Sequence, residues 1–137
     1  MNNFQIYTDG AYSPSKDIGG IGVIILNNEH KIIEYSNKYP NCTNNLMELG
    51  AIIIALRLIK KPVNSITLFS DSMYCIGCIN LSWKRKKNLQ MWKEFDKQFE
   101  RVNKLCPKIE FQHVKGHADN YWNNEVDRLA QYSINSI

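Results

Sequence analysis

Residues 46–59, LMELGAIIIALRLI, carry apolar side chains on every side of any helix they could form, with Glu48 as the only acid. A helix apolar all round has to lie inside the molecule, so the chain needs a layer to cover it. Pro62 ends the stretch, and Thr43 or Asn44 can cap its start. The covering layer is legible upstream. Phe4 to Thr8 alternates with the period of a strand, Gly19 to Leu26 reads as a second strand, and Asn27-Asn28-Glu29-His30 turns into a third around Lys31 to Tyr39. These make an antiparallel meander, closed by Pro40 and Asn41.

Downstream the order changes to strand, helix, strand, helix. Ser65 to Ser70 is short and β-rich, and Asp71-Ser72 can cap a helix running to about Leu81. Asn88 to Leu105 carries Leu89, Trp92, Phe95, Phe99 and Val102 at helical spacing, Ile109 to Val114 alternates, and Trp122, Val126, Leu129, Ala130 and Ser133 form the stripe of a last helix. The expected fold is α/β, a mixed five-stranded sheet with helices on its faces, in a single domain spanning residues 1–137.

At 44% apolar and 22% charged residues, the chain has the composition of an ordinary globular protein. No apolar run reaches the roughly 18–20 residues of a membrane span, and MNNFQIYTDG is no signal peptide, so a cytoplasmic location and no membrane partner are expected. Cys42, Cys75, Cys78 and Cys106 are too few for a disulfide scaffold and read as free thiols. The C-x-x-C of Cys75 and Cys78 has no second pair to complete a zinc site. Eight of the 17 basic residues fall between Lys84 and Lys104, giving that segment a net +5 and leaving −1 for the rest. Trp83 and Trp92 flank its Lys84-Arg85-Lys86-Lys87 core, a combination that suits sugar and phosphate surfaces.

Four acids occupy unusual places. Asp9 follows a core strand, Glu48 sits in the apolar helix, Asp71 follows another strand, and Asp127 lies one residue off the stripe of the last helix. Buried acids are costly unless paired or metal-bound. With no basic residue adjoining the first three, Asp9, Glu48, Asp71 and Asp127 form a hard, oxygen-only set that fits Mg²⁺ or Mn²⁺ rather than zinc.

Tyr7-Thr8-Asp9-Gly10-Ala11, Gly19-Gly20-Ile21-Gly22, Thr43-Asn44-Asn45-Leu46-Met47-Glu48-Leu49, Phe69-Ser70-Asp71-Ser72 and Lys115-Gly116-His117-Ala118 leading to Asp127-Arg128-Leu129-Ala130 together resemble the type 1 ribonuclease H signatures, in order and over almost the whole chain. The resemblance implies the ribonuclease H-like fold and an endonuclease that cuts the RNA strand of RNA–DNA hybrids with two divalent ions, Mg²⁺ or alternatively Mn²⁺, leaving 5′-phosphate and 3′-hydroxyl ends. It implies that Asp9 bridges both ions, that Glu48 serves one of them on the side of the RNA 2′-hydroxyl, and that Asp71 and Asp127 divide between them. His117 would aid proton transfer and product departure.

By the same resemblance Thr43 meets a DNA phosphate while Asn44 and Asn45 read 2′-hydroxyls, and the cations Lys84, Arg85, Lys86 and Lys87 stand as a reduced basic handle on a monomer. His30 and His113 receive no role. Several positions depart from the family pattern: Met73 stands where Gln is frequent, Leu46 where Arg is, Asp119 where Gly is, and Asn124 where an acid often follows Asn123, with Glu125 offset by one residue. The alternative expectation is a hybrid-binding module of the same fold without catalysis; a DNA-directed member of the wider fold, such as a resolvase, ranks lower because Asn44, Asn45 and the Lys-Gly-His block favour RNA.

Overall fold

The computed structural model describes residues 1–115 and 120–136. In chain order the elements are β1 (Asn3–Ser13), β2 (Ile18–Asn27), β3 (His30–Pro40), α1 (Asn44–Arg57), β4 (Ser65–Ser70), α2 (Met73–Asn80), α3 (Leu89–Leu105), β5 (Ile109–His113) and α4 (Tyr121–Asn135). They build the expected mixed sheet of five strands, ordered β3-β2-β1-β4-β5. The meander β1-β2-β3 is antiparallel, and β1, β4 and β5 are parallel. Strand β1 is therefore the place where the sheet changes from one hydrogen-bonding mode to the other.

The pleat divides the side chains of β1 between two layers. Ile6 joins Ile21, Val23 and Ile25 in the larger core, which α1 fills with Leu49, Ile52, Ile53 and Leu56 and which α2 and α3 complete with Cys75, Ile76, Trp92, Phe95 and Val102. Tyr7 and Ala11 face the other way, where α4 lies across Ile24 and Leu26 with Val126, Leu129, Ala130 and Ile134. The close fit of α4 rests on β2: a Cβ on Gly22 would run into the Val126 carbonyl oxygen. All four cysteines are free and buried.

Three elements differ from the sequence expectation, each for a physical reason. Strand β1 does not stop at Thr8 but continues to Ser13, because Asp9 to Tyr12 find partners in Gly22 to Gly19 of β2 and Ala11 packs under α4. Helix α1 ends at Arg57, ahead of Pro62. Its last turn tightens, with the Ile59 N–H donating to the Leu56 carbonyl at 3.1 Å, and Arg101 of α3 donates to the Leu56 and Ile59 carbonyls at 2.8 Å each. On α3 itself Leu89 is exposed, while Gln98 is buried, its amide accepting from Arg101 and donating to Glu94. Periodicity alone assigns such a buried amide to the wrong face.

Candidate active site

The site forms where β4 runs out. Ser70, the last residue of β4, pairs with Thr8, so beyond Thr8 the edge of β1 is uncovered on that side. The freed Gly10 N–H donates to Glu48 Oε1 at 2.5 Å, and also to Asp9 Oδ1 at 3.0 Å. Glycine is required at position 10 because a Cβ there would collide with the backbone of Met47 and Glu48. That absence lets α1 settle against the strand, and Glu48 arrives beside Asp9. Clefts at the carboxyl ends of parallel strands, beside the point where strand order reverses, are the usual ligand sites of such sheets.

Asp71 enters from the third side. Its backbone is fixed by neighbours: the Ser72 N–H donates to Ser70 Oγ at 3.1 Å, Ser72 Oγ caps α2 by accepting from the Cys75 N–H at 3.2 Å, and His113 Nε2 lies 3.3 Å from the Asp71 carbonyl oxygen. The side chain is thereby aimed into the cleft. Oxygens of Asp9, Glu48 and Asp71 lie within 4.8 Å of one another. Asp127, on α4, lines the same cleft from the opposite face of the sheet, outside that tight set of three but near enough to act on Asp9. The cleft has a volume of about 250 Å³, and Asn44, Asn123, Asn124 and Gln131 line it together with the acids.

No lysine, arginine or histidine is among the described residues that line it. The electrostatics follow from that lack. Burial raises the Asp9 carboxyl far above its ordinary value, and the charges of Asp71 and Asp127 raise it further. Glu48 is raised by burial first, then by Asp9 and Asp71. Asp9 and Glu48 titrate as a coupled pair, and both are harder to ionise than a solvated carboxyl. One acceptor stays unmet: Asp71 Oδ1 is buried without a hydrogen-bond partner among the described residues. An orphaned carboxylate oxygen beside two carboxylates that are hard to ionise is the arrangement a divalent cation would relieve, and the oxygen-only donor set suits Mg²⁺ or Mn²⁺.

The remaining sequence candidates divide. Thr43 is the N-cap of α1, its Oγ1 accepting from the Leu46 N–H at 3.2 Å. Asn44 lies on the cleft wall, whereas exposed Asn45 borders a neighbouring cleft of about 250 Å³ lined by Tyr74, Lys84, Lys86, Lys87 and Asn88. Arg85 is turned away from that group. Its Nη1 donates to both carboxylate oxygens of Asp96, at 2.8 and 3.0 Å, and its guanidinium carbon lies 4.3 Å from the centre of the Trp92 ring. His117 and Asp119 lie outside the described residues. Met73 is exposed at the start of α2, and Leu46 packs against the core.

Sequence reading missed Asn123 and Gln131. Both stand four residues from Asp127 in α4, a spacing that puts all three on one face, and this was the available signal.

A family model described as RNase H matches residues 1–135. A ribonuclease H of Clostridium botulinum (strain Hall) is 37% identical over 149 residues, covering 100% of this chain and 99% of the relative. One of Chlorobium chlorochromatii is 38% identical over 138 residues, covering 94% and 93%. Among solved structures, LC11-RNase H1 in complex with an RNA/DNA hybrid is similar with a TM-score of 0.76 at 23% identity, over 96% of each chain. The protease-reverse transcriptase of prototype foamy virus gives a TM-score of 0.80 at 22% identity, over 100% of this chain and 21% of that one. At such identities these two structures speak for the fold.

Proposed function

The chain belongs to the ribonuclease H family, and from that premise we propose that its cleft hydrolyses the RNA strand of RNA–DNA hybrids, leaving 5′-phosphate and 3′-hydroxyl ends. One observation carries the assignment to this cleft: Asp9, Glu48 and Asp71 converge from three elements while Asp71 Oδ1 has no hydrogen-bond partner among the described residues. Two divalent ions held by Asp9, Glu48, Asp71 and Asp127 would supply activation of a water and stabilisation of the leaving 3′ oxygen. Mg²⁺ is the proposed metal, with Mn²⁺ as a substitute.

The protein's own groups do the rest. Asp9, which lines the cleft together with Glu48, Asp71 and Asp127, would hold the ions with them. Glu48 has Oε1 tied to the Gly10 N–H, which fixes the direction of its second oxygen. Asn44 presents an amide that can both donate to and accept from a ribose 2′-hydroxyl, and Asn45 does the same one residue further from the acids. Thr43 Oγ1 accepts its capping bond and keeps its own proton to donate to a DNA phosphate. Lys84, Lys86 and Lys87 hold phosphate through charge. Arg85 supports the segment that displays them. His117 is assigned to aid proton transfer and product departure.

Residues 1–137 are proposed to act as one catalytic domain, as a monomer and in the cytoplasm. No helix among the described residues is long and apolar enough to cross a membrane. The test is incubation with end-labelled RNA–DNA hybrid, duplex RNA and duplex DNA, with Mg²⁺ or with EDTA. Cleavage of the hybrid's RNA alone, and only with Mg²⁺, is expected. Products ending in 2′,3′-cyclic phosphate, or activity that survives EDTA, would sink the proposal.

A further inference from the structure

The wall of the acid cleft includes a side chain that the proposed activity does not use. Tyr12, near the end of β1, lines the cleft with Asn44 and Glu48, and it packs against the larger core. The pleat puts Gly10 and Tyr12 on the same face of β1, with their Cα atoms about 7 Å apart. The Gly10 N–H anchors Glu48, so Tyr12 stands one step further along the same wall. Its hydroxyl is held in place. Tyr12 Oη donates to Asp17 Oδ1 at 2.7 Å, across the connection between β1 and β2. Asp17 is exposed, takes the left-handed backbone conformation at φ 50°, which aspartate tolerates better than most residues, and belongs to no ion pair among the described residues. Burial first, and then the charge of Asp17, raises the Cys42 thiol, so the Tyr12–Asp17 pair lies close to the residue that leads into Thr43 and Asn44.

That bond decides what Tyr12 can recognise. A phenol has one proton, and once it is given to Asp17 the oxygen has only acceptor capacity towards anything else. The Asp17 carboxylate accepts too. The pair therefore offers lone pairs and a negative charge to whatever lies against it, and a phosphate, which has acceptors and a charge of the same sign, is repelled. A neutral donor suits it. Along an RNA strand every sugar carries such a donor in its 2′-hydroxyl, and DNA has none.

We infer that Tyr12 is a specificity-determining residue for the RNA strand, its phenol oxygen accepting a hydrogen bond from the 2′-hydroxyl of a ribose next to the one that Asn44 reads, with Asp17 as the positioning residue that keeps the phenol proton turned away. The inference rests on the proposed cleavage of RNA–DNA hybrids and deepens it. The amide of Asn44 both donates and accepts, so it does not fix which way a hydroxyl points. Tyr12 only accepts, and so requires the hydroxyl to donate. A nucleotide that lacks that donor leaves the phenol oxygen facing a sugar with nothing to give it, and the RNA strand is thereby read over two neighbouring sugars instead of one.

The test is a cycle of substitutions in protein and substrate, read as kcat/KM for hybrids whose RNA strand carries a single 2′-deoxy or 2′-fluoro nucleotide, moved one position at a time past the cut. Tyr12→Phe keeps the ring that packs on the core, and should lower kcat/KM on the unmodified hybrid about tenfold. The wild type should lose about as much when one particular sugar near the cut is made 2′-deoxy, and equally when it is 2′-fluoro, because fluorine cannot donate. At that position Tyr12→Phe should show no further loss, while keeping the wild-type penalties at all others. Asp17→Ala, which frees the phenol to turn, should reduce the penalty at the same position and at no other. A merely structural bond would act alike on every substrate, so Tyr12→Phe slowing all hybrids by one common factor, or none of them, overturns the inference. A penalty that follows inosine in place of guanosine, which removes a base amine and leaves the sugar intact, overturns it as well. If the wild type cuts no hybrid at all, the proposed function falls, and the same cycle read as hybrid affinity decides the Tyr12 contact by itself.

Discussion

At the scale of single residues, the decisive quantity is the charge on three or four carboxylates. Asp9→Asn and Asp71→Asn keep the shape and remove the negative charge, so hybrid cleavage should fall by at least roughly 10³-fold, as when a group central to transition-state stabilisation is removed. Hybrid binding should persist, since Asn44, Asn45 and the lysines are untouched. His117→Ala should be milder, lowering turnover by roughly 10²-fold while Mg²⁺ binding, followed by calorimetry, is unchanged. Loss equal to that of Asp9→Asn would remove its auxiliary role. The acids were legible in the sequence because carboxylates in otherwise apolar elements are anomalous, and their order matched a known set of motifs. What could not be read was Gly10's N–H as the anchor of Glu48, since it depends on where β4 happens to stop. Arg85 was invisible for a related reason: its charge belongs to a basic run in sequence but to Asp96 and Trp92 in space.

The same distinction governs behaviour at the scale of elements. The segment between α2 and α3 holds two functions that one mutation set would confuse. Lys84, Lys86 and Lys87 to Ala should weaken hybrid binding and flatten its salt dependence, by up to about 0.9 in log–log slope for each phosphate no longer neutralised, with an unchanged melting temperature. Arg85→Ala should instead cost about 1 kcal/mol of stability, because it uncovers Trp92, and should change the salt slope little. Affinity titrations at several salt concentrations, run beside thermal melts, decide between these assignments. A second device is the contact of α4 with β2. Gly22→Ala places a methyl against the Val126 carbonyl, so it should destabilise by roughly 1–3 kcal/mol and also reduce cleavage, since Val126 adjoins Asp127. Gly22→Ala with a lowered melting temperature but full activity would show that Asp127's position is not set by this contact. The succession of strands and helices along the chain and most helix faces were readable from period and polarity, whereas the extension of β1 to Ser13 was not, because it depends on pairing with glycines that carry no pattern of their own.

For the molecule as a whole, the acids are a burden on folding that a cation lifts. Asp9 rises from an ordinary value of 3.8 to about 8 in the folded chain, and Glu48 rises too. Between the unfolded and folded values the native state holds more protons than the unfolded one, so stability falls as pH increases. The metal-free protein should therefore melt at lower temperature at about pH 8 than at about pH 5.5. Asp9→Asn should flatten that slope and stabilise the metal-free form. Mg²⁺ binds the ionised, folded site, so it should raise the melting temperature more at the higher of these two pH values than at the lower. Melts at both, with EDTA or Mg²⁺, read all three effects; a metal-free protein more stable on the alkaline side would mean that these carboxylates are not held protonated.

The site draws on both faces of the sheet, and the two halves are made at different times. A ribosome that has finished β5 has produced every strand, α1 with Glu48, and Asp71, yet the second face of the sheet still lacks the helix that covers it. Asp127 arrives with that helix and docks over Ile24 and Leu26 only after it has emerged. A nascent chain thus lacks the wall of the cleft that carries Asp127 until α4 has been translated.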